Sequence, residues 1–455
     1  MGSRRLFAIL LLLSAACGGR ERARLPHIVL ITSDTLRADH LSLNGYPRET
    51  SPEIDAFASR AWHFPEAVTV IPKTAPSFAT IFTGRHPQRH GVRSNFDAVP
   101  PTLPVLAERL RALGYRTAAF VGNPVLRAGL GFDRGFEHYR LFDGRHDESS
   151  VLPVNAAFLE WAQGPWDRPT FVWIHYMDPH GPYTPPDEIL RPFLEDELAR
   201  SERRVPLEVA ASTSGNPDKV LGALPAYQRL GDEDRVAVYV ARYDAEIRLM
   251  DGAFGELIAF LERRKLYERS AIVFTSDHGE SLGEHDYYFE HGWLAHDPGL
   301  RVPLMIKPPG EQVGRVVAGQ VSNLDLHATL EALAGLPPPD GTAGPADLLR
   351  PLAPRPPLLI ESSDGYPDKY HGLRTSELKY LMRAADGAEE LYDLQADPGE
   401  LRNLAADERE RLIELRAACA EALRRARESA GPPAPGLPDD PQTLERLESL
   451  GYVGD

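Results

Sequence analysis

Lysine is nearly absent from this chain. It occurs only at Lys73, Lys219, Lys265, Lys307, Lys369 and Lys379, leaving arginine to carry the other 44 of the 50 basic charges. The imbalance reads as codon bias. No lysine or arginine block is long enough to track a phosphate backbone, and the formal net charge of −16 repels one at long range, so nucleic acid is not expected as a partner. Cysteine is scarcer still. With Cys17 and Cys419 alone there is no disulfide framework, and Cys419, in an Ala-rich helical stretch, is expected to be a buried small hydrophobe. Long hydrophobic runs are missing too: the apolar run Leu6 to Leu13 is too short to cross a bilayer. What is present is 455 residues, 42% of them hydrophobic, enough for a large α/β core with an appendage and incompatible with disorder throughout.

The short run has the layout of an export signal, with Arg4 and Arg5 before it and the small residues Ser14, Ala15 and Ala16 after it. Cys17 follows directly, so residues 1–17 are expected to be a lipoprotein-type signal peptide and 18–25 a tether. The protein is then expected to be exported and lipid-anchored through Cys17 in a bacterial cell envelope, periplasmic or on the outer face, with plain secretion as the alternative.

Further along, short apolar runs recur at 27–32, 117–121, 171–175, 271–275, 302–306 and 358–360. Helical stretches separate them, predicting a large doubly wound, mostly parallel sheet with active groups at the carboxyl ends of its strands. The clearest helix lies between Asp234 and Arg264, where Ile247, Met250, Phe254, Leu257 and Leu261 recur at spacings of three and four. Helices are also expected at 103–113, 154–163 and 324–334. Residues 187–231 break the rhythm and read as an insertion or lid, or else a disordered surface excursion. The Pro-rich stretch 336–357 separates the core, 26–335, from a C-terminal part, 358–455. There, alternating segments lead into a helix over 406–428, predicting a small antiparallel sheet with one packed helix.

Three features carry chemistry. The first strand ends in Asp34, and the strand at 271–275 leads into Asp277, His278 and Gly279; two strand-end carboxylates and a histidine can hold a hard metal or zinc, although a lone Asp there more often caps a helix. Thr74 stands at a helix start, where backbone N–H groups favour an anion or alkoxide; it serves equally as an N-cap.

The segments PHIVLITSDTLRADHLSLNGY, the Thr74 to Gly84 stretch, FVWIHYMDPHGPYTPP, YDAEIRLMDGAFGELIAFL, IVFTSDHGESLGEH, EHG with LRVPLMIKPPG, and ELYDLQADPGELRNL together resemble the sulfatase family of the alkaline phosphatase superfamily. The resemblance implies cleavage of sulfate or phosphate esters. It fails at one place: the family carries Cys or Ser, any residue, Pro, Ser and Arg, the first residue being oxidised to formylglycine, whereas this chain has Thr74, Ala75, Pro76, Ser77 and Phe78. Threonine cannot give that aldehyde, so no formylglycine is expected, and a modified threonine must be cleared by attack of water on sulfur or phosphorus.

That route resembles the nucleotide pyrophosphatase/phosphodiesterase branch, whose oxyanion-stabilising asparagine corresponds by spacing to Asn95. Carried over, the resemblance places one divalent ion (Ca, Mg, Mn or Zn) on Asp34, Thr74, Asp277 and His278. A second would sit on Asp178, His180 and His291; in one-metal members the residues matching His180 and His291 bind the ester instead. The expected activity is metal-dependent hydrolysis of anionic esters, a phosphodiester or phosphonate ester being favoured by Thr74. The alternatives are a transferase passing a phosphoryl-linked group to an envelope glycan or lipid, and an inactive glycan-binding relative.

Overall fold

The run at His27 is apolar throughout because both of its faces are covered. In the strand His27–Ser33, Ile28 and Leu30 enter one hydrophobic cluster while Val29 and Ile31 enter another on the opposite side. The computed structural model describes residues 25–142, 149–208, 220–336, 345–366 and 368–428; the signal segment with Cys17 lies outside them. Among the described residues no helix is long and apolar enough to cross a membrane.

The large sheet has eight strands, in the order Arg315–Val316, Trp62–His63, Leu304–Lys307, Ser270–Ser276, His27–Ser33, Thr170–Tyr176, Arg116–Val121, His138–Leu141. The last five run parallel. One expectation is corrected here. The 302–306 run forms Leu304–Lys307, which pairs antiparallel with Ser270–Ser276, because an apolar run fixes burial and not direction. The 358–360 run lies in the second sheet, with the rest of the C-terminal part.

Helix Val236–Arg263 covers one face, with Phe254 edge-on to Phe274 of the neighbouring strand at 5.0 Å between ring centroids. Its Ile247, Met250, Phe254, Leu257 and Leu261 are all buried, each contributing about 1.5–3 kcal/mol of hydrophobic stabilisation. Helices Thr74–Thr83, Leu106–Ala112 and Leu324–Leu333 pack into the cluster on the other face. Helix Val151–Trp161 begins three residues before its expected start. Within 187–231, residues 209–219 lie outside the described residues; Asp187–Glu195 is a helix packed on the long helix through Leu190 and Phe193.

In the C-terminal part, Leu358–Glu361, Tyr370–Arg374, Leu378–Arg383 and Glu389–Asp393 form an antiparallel meander. Its alternation serves two faces. Leu359, Leu373, Tyr380 and Leu391 meet Leu412, Cys419 and Leu423 of helix Arg409–Glu428, whereas Ile360, Tyr370, Leu381 and Tyr392 pack against Tyr287, Trp293 and Leu300 of the core. Cys419 is buried as expected, and burial pushes its thiol up to about 12.

Candidate active site

Strand register builds the centre of the site. Because Ser33 pairs with Ser276 across two parallel strands, the residues that follow, Asp34 and Asp277, emerge side by side at the carboxyl edge of the sheet. The Ser276 hydroxyl donates to the Ser33 carbonyl at 2.7 Å, and Asp34 N–H donates to the Tyr176 carbonyl at 2.9 Å. Thr35 then adopts φ of +54°, a costly value for a β-branched residue. It is held there by its N–H to Asp277 Oδ1, at 3.3 Å, and by the Tyr243 hydroxyl on its carbonyl, at 2.8 Å.

The resulting cluster is polar and fully buried. His278 Nε2 lies 3.4 Å from Asp277 Oδ2 and 3.7 Å from Asp34 Oδ1, and both of those carboxylate oxygens are buried without a hydrogen bond. His278 Nδ1 is 2.9 Å from the Gly279 carbonyl, which fixes the proton on Nδ1 and turns a bare Nε2 toward the carboxylates. Burial, with the Gly279 bond and the Asp34 charge opposing it, leaves the imidazole low, at about 4. Burial and the charge of Asp34 push the Asp277 carboxyl well above the carboxylate range. Burial also acts to raise Asp34, but the nearby imidazoles of His175, His180 and His278 outweigh it and hold the group at about 2. Two carboxylates forced together in the interior, with orphaned oxygens facing a neutral imidazole, are the donor set of a hard or borderline divalent cation. Asp34, Asp277 and His278 are the group of potential ligands brought together among the described residues, so these three expected residues do converge.

Thr74 opens helix Thr74–Thr83, with Lys73 as its N-cap and Pro76 in the first turn. Its Oγ1 lies 3.3 Å from His278 Nε2, placing the hydroxyl beside the carboxylate group. The helix start is bolted to the strand ends by Ser77, whose hydroxyl donates to the Asp277 carbonyl at 2.7 Å and accepts from Asn323 Nδ2 at 2.8 Å. Asn95 is tied to the same helix start: its Oδ1 accepts from Ala75 N–H at 3.0 Å, leaving its buried Nδ2 without a partner. Phe78 faces away, into Trp173 and His175 at 4.9 and 4.8 Å between ring centroids.

His180 and His291 reach the same place. Their ring centroids are 5.1 Å apart, and that of His291 is 4.4 Å from that of His278. His291 Nδ1 is 2.9 Å from Glu280 Oε1, and its unpartnered Nε2 is turned inward. Asp178 departs from expectation. Its Oδ2 accepts from the N–H and hydroxyl of Ser150, at 3.1 and 3.0 Å, and so caps the helix that starts at Val151. With that carboxylate engaged, Asp178, His180 and His291 do not form a second ligand group among the described residues.

Four further residues of the site are not among those expected from the sequence. His175 looks like core within an apolar strand, yet its Nε2 lies 3.6 Å from Asp34 Oδ2. Asn123 Nδ2 donates to the same oxygen at 2.5 Å. Glu280 lies two residues beyond His278, a spacing that could have drawn attention to it. Lys73 was overshadowed by its neighbour.

Comparison with known proteins gives the family and the fold. The sulfatase family model matches residues 26–336. The ulvan-active sulfatase of Formosa agariphila is 26% identical over 417 residues, covering 83% of this chain and 77% of its own length. The choline-sulfatase of Rhizobium meliloti is 27% identical over 436 residues, covering 84% and 83%. The crystal structure of the phosphonate monoester hydrolase of Agrobacterium radiobacter superposes with a TM-score of 0.69 at 22% identity, covering 89% of this chain and 95% of that one.

Proposed function

This chain belongs to the sulfatase family, and we propose that it hydrolyses sulfate or phosphate esters with Thr74 as nucleophile, which favours a phosphodiester or phosphonate ester. The observation that carries the reading is the Thr74 hydroxyl 3.3 Å from His278 Nε2, beside the orphaned oxygens of Asp34 and Asp277. Asp34, Asp277 and His278 would hold a divalent ion, with Thr74 alongside; when bound, the ion supplies the positive charge that favours the threonine alkoxide and draws in an ester oxygen.

The chain's own residues account for the other steps. Thr74 Oγ1 forms a bond to sulfur or phosphorus as the bond to the leaving oxygen breaks, and the proton from Thr74 departs with the released alcohol. Asn95, aimed by Ala75 N–H, offers Nδ2 to the oxygen on which charge gathers. His291, hydrogen-bonded through Nδ1 to Glu280 at 2.9 Å, turns Nε2 toward the water that next attacks the Thr74 ester and accepts its proton; a proton returns to Thr74 as the inorganic acid or remaining monoester leaves.

Asn95→Ala is expected to lower kcat by about 10²- to 10³-fold with a smaller change in KM, since one oxyanion donor is typically worth that much; an unchanged kcat would return Asn95 to a purely structural bond with Ala75. Assays on aryl sulfate, aryl phosphate and aryl phosphodiester esters with added Mn, Mg, Zn or Ca test the substrate class, and absence of turnover on all three would refute the reading.

We also propose that Cys17 carries a lipid in the envelope, on the strength of the sequence from Arg4 to Gly19. Cys17→Ser should move the protein from the membrane fraction to the soluble one. Wild-type protein that partitions into buffer rather than detergent would exclude the anchor.

A further inference from the structure

The family pattern puts an arginine four residues after the nucleophile, and here that position is Phe78, turned into an aromatic cluster. An anionic ester at Thr74 still needs a positive partner, and one stands on the other side of the nucleophile. Lys73 is buried, with 8% of its surface exposed. Its Nζ donates to the Tyr366 hydroxyl at 3.2 Å and lies 5.6 Å from the centroid of that ring, and the Tyr366 hydroxyl donates to the His291 carbonyl at 2.7 Å.

The backbone makes room for this arrangement. Gly292 has φ of +102°, and a Cβ there would fall 2.8 Å from the Tyr366 ring and 3.1 Å from Lys73 Cδ. The Tyr287 hydroxyl donates to the same His291 carbonyl at 2.9 Å, so the segment carrying His291 is pinned from two sides. The lysine charge reaches the site: after burial, Lys73 is the next cause that depresses His291, and it also acts on His180 and His278.

We propose that Lys73 is the anion-binding residue of this site, gripping a non-bridging oxygen of the ester at Thr74, and that Tyr366, from the C-terminal part, is the residue that positions it. The inference rests on the Thr74 reading for the location of the ester. It has two consequences. The positive charge approaches from the residue before the nucleophile, where an ammonium grips one oxygen as a point charge and not as a planar fork. The small antiparallel sheet also becomes part of the binding site, because the loop before strand Tyr370–Arg374 delivers Tyr366.

The test uses metal-loaded, full-length protein. Binding of inorganic sulfate and of inorganic phosphate is measured by calorimetry on Thr74→Ala and on the same protein with Lys73→Gln, Lys73→Arg or Tyr366→Phe. A hydrogen bond to a charged group predicts about 10- to 100-fold weaker binding of the preferred anion in Lys73→Gln, largely restored in Lys73→Arg. Tyr366→Phe, which removes a single oxygen, should weaken binding less, and in the Thr74 enzyme should raise KM more than it lowers kcat. Equal anion affinity with and without Lys73→Gln overturns the assignment, as does failure of Thr74→Ala to bind either anion. An unchanged KM in Tyr366→Phe removes Tyr366 from it. The Thr74 reading fails by a different result, turnover that survives Thr74→Ala.

Discussion

Thr74→Ala is expected to lower kcat by at least about 10⁴-fold, because the loss of a covalent nucleophile leaves only binding and electrostatic contributions behind. Stability should hardly move. The side chain is fully buried, and its hydroxyl contact is the one to His278; removal of one methyl and one hydroxyl then costs about 1 kcal/mol, a few degrees in Tm at most. Thr74→Ser, which keeps the oxygen but loses the methyl that limits its rotation, should fall between the two. Steady-state kinetics alongside thermal unfolding separate the outcomes: a large loss of kcat with a preserved Tm supports the nucleophile, whereas kcat within tenfold of wild type would show that water attacks the ester directly.

The second large effect is expected at Asp277, and it should change sign with metal. In metal-free protein Asp277 is a destabilising group: burial and the charge of Asp34 raise its carboxyl, so the folded state holds a proton that the unfolded state has already released. That difference lowers stability as pH climbs from the ordinary carboxylate value toward the raised one. Asp277→Asn should therefore raise the Tm of metal-free protein at neutral pH. In saturating divalent ion the order should invert, since wild type gains about 2.7 kcal/mol at an ion concentration 100 times its Kd and a protein without that ligand gains little. Turnover in Asp277→Asn should fall at least about 10³-fold. Thermal unfolding in chelator and in added Mg, Mn, Ca or Zn measures both arms, and an Asp277→Asn variant stabilised by ion as strongly as wild type would remove Asp277 from the ligand set.

The parts of this site that could be read in advance are those in which chemistry coincides with a strand end. Asp34 and Asp277–His278 each follow a continuous apolar run, and a parallel sheet places such residues at one edge; the register of Ser33 with Ser276 makes them neighbours. Thr74 was legible from the helix that begins at it, and Asn95 only through the resemblance. Direction was not legible. Leu304–Lys307 has the same apolar character as the parallel strands but enters antiparallel, and Trp62–His63 is too short to leave a pattern.

Long-range polar contacts were hidden for a related reason. Asp178 entered the expected ligand set through the resemblance, and nothing local in the sequence ties it to Ser150, 28 residues earlier. Lys73 and Tyr366 are 293 residues apart, and the fold alone introduces them. His175 sits in an apolar strand whose side-chain alternation says nothing of the carboxylate across the sheet. Periodicity reports which face a residue takes, and not which partner waits there.

The stereochemical course of the reaction tests the central claim most directly. An ester made chiral at its sulfur or phosphorus by isotopic or sulfur substitution is hydrolysed by wild-type enzyme, and the configuration of the product is determined. Attack by Thr74 followed by attack of water inverts the centre twice, so the product should retain configuration. Net inversion would mean a single displacement by water, with no covalent Thr74 intermediate, and would contradict the account.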